Sequence, residues 1–151
     1  MNEKILSTED LERLSREMDI RLIELSVGSE SSEMKWFQRN HYPLSIPEKE
    51  ANIIEEIIPD AGHTSESFWK RFKEATRSDV CEEGGVLYKQ WKHFGDLSNK
   101  TVLQQFAVIL VAMGFSGNAL QVLALSCAII VVHIGVKAYC MEISEKRTTE
   151  K

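Results

Sequence analysis

The residues of this sequence with chemistry to offer are four histidines, three cysteines and a few clustered carboxylates and glycines. His41, His63, His93 and His133 are far apart and none belongs to an HExxH or comparable spacing, so no metal site is expected. Cys81, Cys127 and Cys140 include no CxxC pair, and an odd count does not suit a disulfide framework. Reduced thiols, as in the cytosol, are the expectation, with Cys127 a small hydrophobe inside an apolar run. Glu55/Glu56 and Glu82/Glu83 are paired only along the chain. Adjacent helical residues point about 100° apart, so neither pair would share a proton in acid–base work. Gly84-Gly85 lacks the flanking residues of a phosphate cradle and reads as a turn. Ser116, in Gly114-Phe115-Ser116-Gly117, fails the G-x-S-x-G pattern of a nucleophile elbow, and no strand precedes it. These readings predict a protein that is not an enzyme and has no cofactor.

The elements that carry these residues emerge from composition and periodicity. The chain has 151 residues, 43% hydrophobic and 27% charged, which suits one domain or a core with an appendage. Its net charge of −5 is unevenly spread: −8 over residues 1–68, +2 over 69–100 and +1 over 101–151. A globally basic nucleic-acid binder is excluded by that distribution, and no nucleic-acid partner is expected. The first ten residues carry both signs of charge and no apolar stretch of signal-peptide length, so the front half is expected to stay in the cytoplasm.

Leu11, Leu14, Met18, Leu22 and Leu25 recur at helical spacing, with Glu12, Arg13, Arg16, Glu17 and Arg21 assigned to the other side. Ser7 or Thr8 would cap this helix and Gly28 end it. Leu11, Leu14, Met18 and Leu22 are either a stripe facing the core or a surface for a protein partner. Ser45, Pro47 and Glu48 resemble a capping-box start to a second helix, on which Ile53, Ile54, Ile57 and Ile58 share a face before Pro59. Phe68, Trp69 and Phe72 mark a third helix, and Leu87, Trp91 and Phe94 a short fourth.

The strongest signal is a run of 36 residues, between Lys100 and Lys137, without an Asp, Glu, Lys or Arg. Gly114 to Asn118 interrupts it, Asn118 being able to cap a second helix, so the run reads as a helical hairpin. Its first arm, from Ser98 or Asn99 to Met113, is too short to span a bilayer. The second, Ala119 to Cys140, contains an uncharged stretch of about 27 Å against a hydrocarbon core of roughly 30 Å. Gln121, Ser126 and His133 do not collect on one side of it. An ionisable residue inside such a span invites suspicion of function, although a histidine hydrogen-bonded inside a bundle is the plainer reading of His133.

The expectation is an all-α small helical bundle with a C-terminal apolar hairpin: an acidic cytosolic helical domain over 1–100, a candidate membrane segment over 101–140 and a polar tail over 141–151. Phe106, Ile109, Leu110, Leu120, Leu123, Ala124, Ile130 and His133 are the residues expected to meet lipid or other copies of the chain in a homo-oligomer. Trp69, Lys70, Lys73, Trp91 and Lys92 would form an interfacial collar of aromatic rings and cations, or else ordinary core aromatics beside a solvated face. The functional expectation is a non-enzymatic, membrane-anchored interaction or effector protein with lipid as partner. Its alternative is a soluble cytoplasmic adaptor or scaffold in which the hairpin is the centre of a homo-oligomer or hetero-complex interface.

Overall fold

A computed structural model describes residues 6–26, 47–62, 64–94, 98–135 and 139–140. Six α-helices make up the protein over these residues, with no β-strand among them: α1 (Thr8–Ser26), α2 (Glu48–Ile57), α3 (Ser65–Thr76), α4 (Val86–Phe94), α5 (Asn99–Ala112) and α6 (Gly117–Ile134). The all-α architecture follows from the helical spacing of the apolar residues, and local chemistry sets most of the ends. Ser7 starts α1, its hydroxyl accepting from the Asp10 N–H at 3.1 Å. Thr64 and Ser67 form a reciprocal capping box at α3. Ser98 caps α5. Pro47 precedes α2 without a side-chain cap, and Ser45 lies outside the described residues. Pro59 tightens the end of α2 into a 3-10 turn over Ile58–Ala61.

The hairpin turns where its glycine requires it. Gly114 has φ of +105°, its N–H bonds the Val111 carbonyl at 3.0 Å, and the Phe115 N–H reaches back to Leu110 at 3.1 Å. This is a Schellman ending, and Phe115, the residue after the glycine, is buried against the helix as such endings favour. Ser116, rather than Asn118, is the N-cap of α6, without a side-chain hydrogen bond. The second arm is shorter at its far end than the uncharged run suggested. Gly135, at φ +102°, ends α6 after Ile134, so Ala119 to Cys140 is not one rod.

The α5–α6 hairpin is the centre of the bundle. α1 lies on both of its arms, α2 packs on α6, and α3 and α4 pack on α5. One hydrophobic cluster runs from Leu6 to Tyr139, so the acidic front and the uncharged rear share a core. Its aromatic part joins α3 to the hairpin: Phe72 meets Phe106 edge-on at 5.2 Å, and Phe68 meets Phe115 at 6.0 Å. Such pairs contribute about 0.5–1.5 kcal/mol beyond the area they bury.

At its C-terminus α3 widens into a π turn over Arg77–Cys81. Just before it, the Thr76 hydroxyl donates to the Phe72 carbonyl at 2.9 Å, a back-bond that competes with the regular ladder and bends helices. Asp79 in the turn accepts the Val86 N–H at 3.0 Å and so caps α4. Gly85 fits against this turn because it has no side chain: a Cβ there would come within 2.2 Å of the Asp79 carbonyl and 2.4 Å of that of Ser78. Gly85→Ala is therefore expected to cost about 1–3 kcal/mol in overpacking, read as a lower urea midpoint at unchanged far-UV circular dichroism.

Candidate functional site

The residues expected to meet lipid or partner subunits are packed inside this single chain. Phe106, Leu110, Leu120, Leu123, Ala124 and Ile130 are buried, and Ile109 is partly so. His133 is exposed on the last turn of α6, not hydrogen-bonded inside the bundle. Leu14 and Met18 face the core and Leu11 and Leu22 are partly buried against it, the core-facing alternative for that stripe. Trp69 is buried as well, which removes it from a surface collar. Lys70 is exposed and Lys73 partly buried on α3. Trp91 and Lys92 lie on α4, where the side chains are outside the described residues.

Two features of α1 escape its leucine periodicity. Arg21 falls on the buried side with Leu14, Met18 and Leu25 rather than on the charged side. Its guanidinium forks onto the Glu50 carboxylate of α2, Nε to Oε2 at 2.8 Å and Nη2 to Oε1 at 3.0 Å, with 8% and 2% of the two side chains exposed. Glu24 holds Nη1 of the same guanidinium at 3.2 Å from the surface. The spacing 14, 18, 21, 25 was the available signal, an arginine at a core position that demands a buried acid.

The second feature is a polar seam that fastens α1 to the hairpin, using the few polar side chains the hairpin has. Gln121 of α6 accepts from Arg13 at 2.7 Å and donates to Asp10 at 3.0 Å. Gln104 of α5 pairs with both the N–H and the carbonyl of Leu6, at 3.0 and 3.3 Å. Lys100 reaches Glu12 at 2.6 Å, and Asn99 donates to Asp19. The Arg13 hydrogen bond, then that of Ser7, holds the Asp10 carboxyl below its ordinary range, and Lys100 does the same for Glu12. Both carboxyls have lowered folded-state values, so their contribution is present above the ordinary carboxylate range and is lost as pH falls through the folded values. These groups are exposed, and the contribution is small.

Beyond the end of α6, Cys140 is joined to Cys81 as a disulfide across 59 residues, with Cα atoms 5.5 Å apart. This overturns the expectation of three reduced thiols: the sequence separation hid a pair that the fold brings together. Cys127 is free and buried, as a small hydrophobe would be. Beside the disulfide, Tyr139 is buried with its hydroxyl 2.8 Å from that of Thr76. The chain beyond α6 is thus pinned to the end of α3 by the disulfide together with the hydrogen bond between Tyr139 and Thr76.

Among the described residues no three His, Cys, Asp or Glu side chains converge to hold a metal ion. What the surface offers is apolar. Val108 and Val111 of α5 are 43% and 42% exposed, and Val122 of α6 is partly buried. No family model, curated protein or solved structure matches this chain. Its own geometry is what speaks to function. Among the described residues α6 is the one helix long and apolar enough to cross a membrane, and half of it is buried within the bundle.

Proposed function

We propose that this chain is a non-enzymatic, membrane-directed helical protein, a water-facing bundle that stores an apolar hairpin and delivers it to a bilayer when the bundle opens. The observation that carries the reading is α6, an uncharged helix of 18 residues whose length of about 27 Å suits a hydrocarbon core. Its covers support a stored rather than an inserted state. The outer faces of α1 and α2 carry Glu12, Arg16 and Glu17, beside the exposed Ile20 and Ile23, and Glu48, Lys49 and Glu56, charges that oppose following α6 into lipid. Leu14, Met18 and Leu25 bury α1 against the shared core, so release of the hairpin would uncover that apolar face as well as part the exposed polar contacts beside it.

A second reading has its own support: α6 is packed by α1, α2 and α5 of the same chain, as the core helix of a soluble scaffold would be. Val122→Arg separates the two. The position is only partly buried, so an arginine there can carry its charge out to water along its own stem, and the folded bundle is expected to tolerate the change. In a span, an arginine a few residues from the centre costs about 2 kcal/mol, roughly a thirtyfold loss of insertion. The expected result is full-length protein retained on carbonate-washed liposomes, retention lost in the variant, and the same thermal midpoint for both. Wild-type protein that never remains on washed liposomes, at any ratio of lipid to protein, supports the scaffold.

A further inference from the structure

We propose that the Cys81–Cys140 bond is a reversible redox lock on the apolar hairpin, closed by oxidation and opened by a dithiol reductant. The ring that the bond closes contains α4, α5 and α6 entire, so the hairpin lies within a covalent loop. The bond ties the chain just beyond α6 to the π turn that ends α3, and Gly135, at φ +102°, ends α6 before that tie. Cys81 and Cys140 are both partly buried and packed against the core rather than fully enclosed within it. Cys127, the third thiol, is fully buried on α6 and takes no part in exchange.

The chemistry is an ordinary two-electron exchange. A thiolate of the reductant attacks one sulfur of the bond, the Cys81–Cys140 bond breaks, and the other cysteine leaves as a thiolate that takes a proton. The second thiol of the reductant then displaces the mixed disulfide. Two protein thiols and one oxidised reductant result, with two electrons and two protons transferred to the protein. The C-terminal end of the hairpin then depends on non-covalent contacts such as the hydrogen bond between Tyr139 and Thr76. Removing a loop constraint of this length from the unfolded chain multiplies the global unfolding constant by on the order of 10³.

The lock gives a trigger to the membrane-directed function proposed above and rests on that reading for its purpose, but its test does not. Hydrogen exchange is followed on the full-length wild-type chain as purified under oxidising conditions, after reduction with dithiothreitol, and after reoxidation with diamide. Amides of Ile129 to Ile134 and of Tyr139 and Cys140 are expected to exchange at least tenfold faster when reduced and to recover when reoxidised. Equal exchange in the oxidised and reduced forms overturns the lock, as does failure of mild oxidant to convert two of the three thiols. Exchange that accelerates on reduction but does not recover makes the bond a plain structural staple and also overturns it. In parallel, binding to vesicles of phosphatidylcholine and phosphatidylglycerol is compared between the two forms. Faster exchange without a gain in vesicle binding upholds the lock and removes the bilayer as its target.

Discussion

Arg21→Met is expected to lower the unfolding free energy by about 3–5 kcal/mol, the cost of leaving one member of a buried ion pair without its partner. The fork between Arg21 and Glu50 is enclosed on both sides, so solvent cannot replace the lost guanidinium at the carboxylate. Glu50→Leu should fall nearer the lower limit. There the stranded guanidinium keeps Glu24, which is half exposed and lets water approach. The double replacement Arg21→Met/Glu50→Leu is expected to recover most of the loss, because apolar side chains of similar volume often match or exceed a buried pair in stability. Urea unfolding of the four proteins, combined as a double-mutant cycle, measures the coupling. If the two single losses simply add, the pair is not the junction between α1 and α2 that its geometry implies.

The second large effect is expected from Cys81→Ser/Cys140→Ser. Opening a loop of 59 residues restores conformational freedom to the unfolded chain equivalent to about 4 kcal/mol. For a chain of this size the thermal midpoint should drop by roughly 8–16 °C. Because the change acts on the unfolded state, the slope of stability against urea should rise as that state expands. Wild-type protein in reductant should reproduce both changes, and the variant itself should be indifferent to reductant. A midpoint unchanged by reductant would mean that the bond constrains nothing the fold does not already hold. The two predictions are independent, since the ion pair joins α1 to α2 and the disulfide joins the end of α3 to the chain beyond α6.

Much of the fold can be read from the order of the residues because helices are local objects. Ser7, Ser98 and the isoleucines before Pro59 act within a turn or two of themselves, and Gly114 makes the hairpin out of its own backbone. The all-α class and the apolar hairpin are therefore legible without coordinates. The length of α6 was legible only in part: an uncharged run says where charge is missing, whereas the helix stops at the backbone turn of Gly135, inside that run.

The candidate site was much less legible, and the reason is distance along the chain. Arg21 finds Glu50 across 29 residues, Tyr139 finds Thr76 across 63, and Cys81 finds Cys140 across 59. Spacing within a helix says which side chains share a face, but not which other face will meet it. Thus Gln104 and Gln121 look like stray polar residues in an apolar run until α1 is laid across them. The same limit applies to the hairpin. Apolarity all round is equally good in lipid and in a protein interior, since both withdraw the helix from water. Local order makes α6 apolar and long, whereas the covering by α1, α2 and α5 is a property of the whole chain, set by summed packing that no short stretch of residues contains.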